Sequence, residues 1–262
     1  MGVMVSIIVG VYNGEKYLAK LLDSILVQTS QDWICVCVND GSTDSSKHIL
    51  DSYASRDGRF RVISRNNGGV GAARNTALDS VETPYVMFAD QDDLLKPNAV
   101  ETALAAIESS GADVVRFQSN RHNRVSPFVW ERIFKMDAIK DVRFVPITGG
   151  EDTAFMWELD LMGLKTVEIP DELYWNRTNE GSFSRVVSPK YIENVFAGYY
   201  AMRDCGLKHG LSKIKIFFRL IPQVFWFSAS ILVRHFSLIN VKTLLSALFR
   251  LALFRRKETV DV

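Results

Sequence analysis

Between Val5 and Asp93 the chain repeats one pattern: a short apolar run, a polar loop, then a stretch with apolar residues at helical spacing. The runs are "VSIIVGV", "WICVCV", "FRVIS" and "YVMFA". Between them lie Tyr17, Leu18, Leu21, Leu22, Ile25 and Leu26, then "SKHILDSYA", then "GGVGAARNTALDSV". Strands that alternate with helices require right-handed crossovers and a mostly parallel sheet covered on both faces, which is why these strands are apolar throughout. The expected class is therefore α/β, a Rossmann-like sheet with helices on both faces. In such sheets ligands bind beyond the carboxyl ends of the strands. The loops at Asn13, at Asp40 to Asp44, at Asn66 to Asn75 and at Asp90 to Asp93 should thus open on one rim. Taken alone, "DGSTD" is also an ordinary turn leading into a capped helix. Together the four loops describe a cleft for a charged ligand.

With 262 residues, 47% of them hydrophobic, the chain can bury one large domain and carry an appendage. A formal net charge of +1 gives no overall pull towards nucleic acid, and none is expected as a partner. Of the three cysteines, Cys35 and Cys37 alternate with apolar residues in one run and read as small core residues of a protein in a reducing compartment. The N-terminal residues lack a basic start and a small-residue cleavage site, so no signal peptide is expected.

"FADQDD" places Asp90, Asp92 and Asp93 within four positions at the end of an apolar run. Carboxylates this close repel and raise one another's pKa unless a cation or a hydrogen-bonding ligand lies between them. "VSIIVGVYNGEKYL", "VNDGSTDSS", "NNGGVGAARNTAL", "FADQDDLLKP" and "GGEDTAF" resemble, in order and spacing, the motifs of family 2 glycosyltransferases with the GT-A fold. The resemblance covers roughly residues 3 to 180. It implies an inverting transferase that moves a sugar from a nucleotide diphosphate donor, a UDP-sugar, to a hydroxyl, using Mg²⁺ or Mn²⁺.

The resemblance also implies roles for residues. Val11, Tyr12 and Asn13 fall in the nucleotide-binding loop, with the Tyr12 ring available to a base or to simple packing. Asp40 is placed to accept an N–H from the base. Arg74 either binds the diphosphate or steadies the carboxylates. Asp90 falls on the ribose side with Gln91 beside it, Asp92 on the metal, and Asp93 behind them or capping the next segment. Hard cations take oxygen ligands, so one or two carboxylates plus phosphates suffice. Asp152 becomes the base that takes the acceptor proton, and it equally suits a helix start, where acids favour the dipole. Arg177, in "YWNRTNEGSFS", resembles the family's arginine in a loop over the diphosphate.

The region between "DQDD" and "GGED" is shorter than the family leads one to expect, which bears on the acceptor. Arg116, Arg121, His122 and Arg124 read there as a solvated basic loop or as contacts to a phosphorylated acceptor. The expected boundaries are a catalytic domain over residues 1–188 and a helical extension over 189–262. "IKIFFRLIPQVFWFSASILVRHF" is apolar, but Arg219, Pro222 and Gln223 interrupt it, so it is no clean membrane span. "VKTLLSALFRLALFRRK" reads as an interfacial helix. Membrane-surface contact through residues 213–257 would keep the protein cytoplasmic, peripheral on the inner face of the cell membrane, where lipid-linked or glycan acceptors are assembled. The alternatives are helices packing on protein, a sugar-phosphate nucleotidyltransferase, and a catalytically weak scaffold that binds nucleotide sugars or membrane.

Overall fold

The structure, a computed structural model, describes residues 3–121, 128–147, 149–177 and 188–234, with 243–245 and 248 beyond them. The chain divides into two compact units, Met1–Pro146 with Met162–Asn179, and Ile147–Leu161 with Glu180–Val262.

The first unit realises the strand and helix alternation. β1 (Val5–Val11), α1 (Leu18–Leu26), β2 (Trp33–Asp40), α2 (Ser46–Arg56), β3 (Phe60–Arg65), α3 (Val70–Leu78) and β4 (Tyr85–Asp90) follow one another as expected. The four strands are parallel, in the order β3-β2-β1-β4. Val11 pairs with Asn39, Asp40 with Arg65 and Gly10 with Asp90, so the chain leaves all four strands at one edge. β2 is buried at every position, because helices cover both faces.

The order then becomes less regular. β5 (Leu94–Leu95), α4 (Ala99–Ser110), β6 (Val114–Ser119), a 3₁₀ turn at Val129–Glu131, β7 (Arg132–Lys135), α5 (Met136–Ile139), α6 (Glu151–Met162) and β8 (Thr166–Trp175) complete a sheet of order β3-β2-β1-β4-β7-β6-β8-β5. β7 runs antiparallel to both β4 and β6, β8 is parallel to β6, and β5 is antiparallel to β8. Ile7, Leu21, Leu22, Trp33, Met87, Phe117 and Ile133 are fully buried in the core. Each such aliphatic or aromatic side chain stabilises the fold by roughly 1.5–3 kcal/mol.

Cys35 and Cys37 lie fully buried as free thiols, and burial, reinforced by Cys37, pushes the Cys35 thiol well up. The reading of Arg116 as part of a solvated loop is wrong. It lies in β6, 3% exposed, with Nη1 2.9 Å from Glu168 and Nη2 3.7 Å from Glu131. Partners brought in by β8 and by the turn before β7 allow the charge to be buried, since a buried ion needs a counter-ion. His122 and Arg124 lie outside the described residues.

The second unit is helical. α7 (Pro189–Lys208) starts with Ser188 accepting the Tyr191 amide at 3.1 Å and Pro189 in the first turn, a pairing that satisfies helix-start geometry. α8 (Lys213–Arg234) packs on it, with the Phe227 ring 6.0–6.3 Å from Tyr191, Phe196 and Tyr199. A Cβ at Gly198 would stand 2.9 Å from the Gly150 carbonyl oxygen, so the backbone before α6 rests directly on α7. On α8, Ile216, Leu220 and Val224 are buried while Ile214, Phe217, Phe218 and Ile221 are exposed. No helix among the described residues is long and apolar enough to cross a membrane. Most of the interfacial pattern expected over 241–257 lies outside the described residues.

Candidate active site

The loops at the strand ends of the first unit hold one another. Asn13 adopts a left-handed φ of 48°, its side-chain carbonyl accepts the Thr43 amide at 2.8 Å, and its own amide donates to Ser42 Oγ at 3.1 Å. The Gly14 amide donates to Ser46 Oγ at 2.8 Å, and the Glu15 amide donates to Asp44 Oδ2 at 3.0 Å. Asp44 is slightly desolvated, but the Ser46 hydroxyl and the amides of Glu15 and Ser46 outweigh this and hold its pKa below the usual range.

Gln91 joins this pair of loops to the acidic turn. Its Oε1 accepts the Tyr12 amide at 2.9 Å and its Nε2 donates to the Tyr12 carbonyl at 3.0 Å. A Cβ at position 14 would fall 2.4 Å from Gln91 Oε1, so this contact requires Gly14. The Tyr12 ring is left 47% exposed beside it. Val11, at the strand end, is buried, and its carbonyl faces Ser42 Oγ at 3.5 Å.

Asp40 is 2% exposed. Its carboxylate accepts the amides of Gly68 at 3.1 Å and Gly69 at 2.8 Å and pairs with Arg65 Nε at 3.0 Å, so it holds the loop that enters α3. Arg74, buried on α3, donates to Asp90 Oδ1 at 2.8 Å, and its guanidinium lies 5.2 Å from the Phe144 ring centre. A charge buried beside aromatic rings needs a counter-ion, and Asp90 supplies one.

The three acids of "DQDD" sit in different surroundings. Asp93 is 2% exposed, and its carboxylate accepts Tyr174 Oη at 2.9 Å, Asn176 Nδ2 at 3.0 Å and the Arg177 amide at 2.7 Å. The Tyr174 oxygen also accepts the Asp90 amide at 3.0 Å, and its ring, fully buried, stacks on Trp130 with centres 4.7 Å apart. Burial, then the charges of Asp90 and Asp92, push the Asp93 carboxyl up to about 8, against the pull of its donors. Asp92, partly exposed, offers a carboxylate at the turn while its carbonyl accepts Arg177 Nε at 3.0 Å. Arg177 also lies 5.0 Å from the Tyr17 ring centre. Among the described residues the rim presents carboxylate oxygens without sulfur or imidazole, a donor set that fits a hard divalent cation such as Mg²⁺ or Mn²⁺.

Asp152 belongs to the second unit, in the first turn of α6 beside Glu151, both 8% exposed. Glu151 accepts the Gly149 amide at 2.7 Å. Burial, and then the Glu151 charge, raise the pKa of Tyr191 on α7. The loop expected over the diphosphate continues from Arg177 into residues 178–187, outside the described residues.

Tyr174 is the tyrosine of the Tyr-x-x-Arg segment that ends at Arg177, but the sequence gives no sign that its hydroxyl, with the Asn176 amide, holds Asp93. Gln91 is among the expected binding residues, but its amide bonds to the Tyr12 backbone carry no sequence signal.

A mostly parallel sheet with interlocked polar loops and an acidic turn at its carboxyl edge places the chain in the open α/β class, in which ligands bind beyond the carboxyl ends of the strands. Residues 6–164 match the profile described as Glycosyl transferase family 2, and the chain belongs to that family.

Among its relatives is the glycosyltransferase GlyA of Streptococcus pneumoniae, 31% identical over 225 residues, covering 72% of this chain and 32% of GlyA. GlyG of the same species is 28% identical over 71% of this chain and 74% of its own length. The chain thus spans about a third of one relative and about three-quarters of the other. A teichoic acid poly(glycerol phosphate) polymerase of Staphylococcus epidermidis is 46% identical over 97 residues, 36% of this chain and 14% of that protein. Among solved structures, S. aureus TarS 1-349 with UDP-GlcNAc superposes with a TM-score of 0.79 at 23% identity, covering 95% of this chain and 80% of that one. The mannosyltransferase PcManGT of Pyrobaculum calidifontis, in complex with GDP-Man and Mn²⁺, gives 0.65 at 17% identity, covering 98% of this chain and 77% of that one. These likenesses establish the fold, and the expected GT-A arrangement is the one found.

Proposed function

We propose that the chain is an inverting glycosyltransferase that moves a sugar from a UDP-sugar to a hydroxyl of a glycan or lipid-linked acceptor, as in the assembly of bacterial surface polysaccharide. The observation that carries this reading is the acidic turn at the sheet edge, where Arg74 neutralises Asp90 and Arg177 grips the Asp92 backbone, within a family match that reaches α6. The names of relatives support the substrate class: one is a teichoic acid polymerase, and TarS is seen with UDP-GlcNAc.

Val11, Tyr12 and Asn13 line the nucleotide side, with the exposed Tyr12 ring offered to a base. Asp40 keeps the Gly68–Gly69 backbone in place and contributes to the base pocket. Asp90 and Gln91 meet the ribose. Asp92 holds Mg²⁺ or Mn²⁺, which when bound neutralises the charge of the diphosphate. Arg177 binds the departing diphosphate. An acceptor hydroxyl attacks well only as its proton leaves, and Asp152 takes that proton while the new bond forms on the face opposite the leaving group.

The exposed α8 residues Ile214, Phe217, Phe218 and Ile221 recur at i, i+3, i+4 and i+7, flanked by exposed Lys213, Lys215 and Arg219. An apolar stripe edged with bases suits the surface of an anionic membrane and supports peripheral residence on its cytoplasmic face, where lipid-linked acceptors lie.

Calorimetry with a panel of nucleotide sugars, with and without Mn²⁺, tests the donor site. Metal-enhanced binding of one of them is expected, and its absence across the panel would remove the reading.

A further inference from the structure

We propose that Glu158, Cys205 and His209 form a binding site for a borderline-soft divalent ion of the zinc class, in addition to the oxygen-only rim. The inference lies beyond the transferase reading and does not depend on it.

Cys205 and His209 stand four apart at the end of α7, on one helix face. Glu158 comes from α6 in the same unit. The sulfur, an imidazole nitrogen and a carboxylate oxygen all lie within 4.8 Å of one another, and Glu158 Oε1 is already 3.9 Å from His209 Nε2. Tetrahedral zinc with bonds of about 2.0–2.3 Å holds its ligand atoms roughly 3.3–3.7 Å apart. Closing the set therefore needs the ligand atoms to approach one another by about an ångström. Among the described residues this is the one group with metal-ligand spacing, and it joins three different donor types. One thiolate and one imidazole select zinc-class ions over Mg²⁺. A fourth position is left for water.

Two features oppose the ion. Lys208 Nζ lies 3.6 Å from the same Glu158 oxygen, but its side chain is 75% exposed and such a pair is weak and easily displaced. Burial, then the Glu158 charge, push the Cys205 thiol up to about 11 despite Lys208. Binding must therefore release the thiol proton to solvent, with the sulfur–metal bond taking its place. The bound ion would tie the end of α7 to α6, the helix whose first turn carries Asp152.

Titration of the metal-free full chain with Co²⁺ tests this, because a thiolate ligand gives a near-ultraviolet charge-transfer band that an all-oxygen site does not. One equivalent of Co²⁺ is expected to develop the band and Zn²⁺ to abolish it. Cys205→Ser should remove the band, His209→Ala should weaken binding about tenfold or more, and Lys208→Met should tighten it about two- to fivefold. Because Cys35 and Cys37 are fully buried, Zn²⁺ should also protect the one remaining thiol from alkylation. At a tenfold excess over its dissociation constant, Zn²⁺ should raise the melting temperature by about 3–5 °C in the parent and leave Cys205→Ser/His209→Ala unmoved. Three results would overturn the site: no band in the parent, a band that persists in a natively folded Cys205→Ser, or an equal zinc shift in the double variant, the ion then being adventitious on surface carboxylates.

Discussion

The rim of the first unit and the α8 face of the second are opposite solutions to exposing chemistry. At the rim, side chains of one loop satisfy the backbone of the next: Gln91 clasps Tyr12, Ser42 and Thr43 hold Asn13, and Asp93 gathers Tyr174, Asn176 and Arg177. Along α8, Ile214 and Phe218 stand 69% and 68% exposed. The contrast teaches that a site for a small charged ligand has to be preorganised, since each unplaced polar group weakens it. An adhesive surface needs only an apolar stripe and its charges.

Substitutions on each side should therefore fail differently. The largest effect is expected from Asp152→Asn: kcat for transfer falls by about 10²–10⁴-fold, while donor affinity by calorimetry stays at the parent value. Equal turnover in the two proteins would take Asp152 out of the base role. Asp92→Asn should lose the Mn²⁺ enhancement of donor binding by about a hundredfold, or about 2.7 kcal/mol; a preserved enhancement would mean the ion is held elsewhere. Tyr174→Phe deprives Asp93 of a donor and the Asp90 amide of its acceptor, and should cost about 1–3 kcal/mol in chemical denaturation and raise the donor KM. Phe217→Glu with Phe218→Glu should weaken binding to anionic vesicles about tenfold, or about 1.4 kcal/mol, without touching donor binding. If vesicle sedimentation is unchanged, the membrane reading of α8 falls.

The smallest effect concerns acid. Asp44 has a folded pKa below its ordinary value of 3.8, so its stabilisation is present above that value and is lost as pH falls through the lower one. Asp44→Asn should flatten the stability profile below about pH 4, measured by thermal melts, and leave it parallel to the parent at neutral pH.

The fold was readable wherever its signal was local. β1 to β4 and the helices between them announce themselves by continuous apolar runs and helical spacing. The remainder of the sheet depends on partners distant in sequence, such as the two residues of β5 pairing with Tyr174 and Trp175, and short segments of that kind have no periodicity to read. Arg116 was misread for the same reason, since Glu131 and Glu168 reach it only through the sheet. In the acidic turn, "DQDD" shows that carboxylates crowd together but not which one turns inward. The Asp93 amide bonds the Asp90 carbonyl at 3.0 Å, and the buried Tyr174 hydroxyl lies under the turn; neither is written in that stretch. The helix beginning at Glu151 was legible from its acids, whereas the Glu158, Cys205 and His209 grouping needs two helices to be brought together.

The near-touching backbones at Gly150 and Gly198 have a genetic consequence. Even the single methyl of alanine at 198 would have to displace a main-chain carbonyl two residues ahead of Asp152. Screening of random variants should then score a spot midway along α7 as intolerant, with surviving proteins soluble yet slow. Such a lesion would masquerade as damage to the chemistry while altering only the platform beneath it.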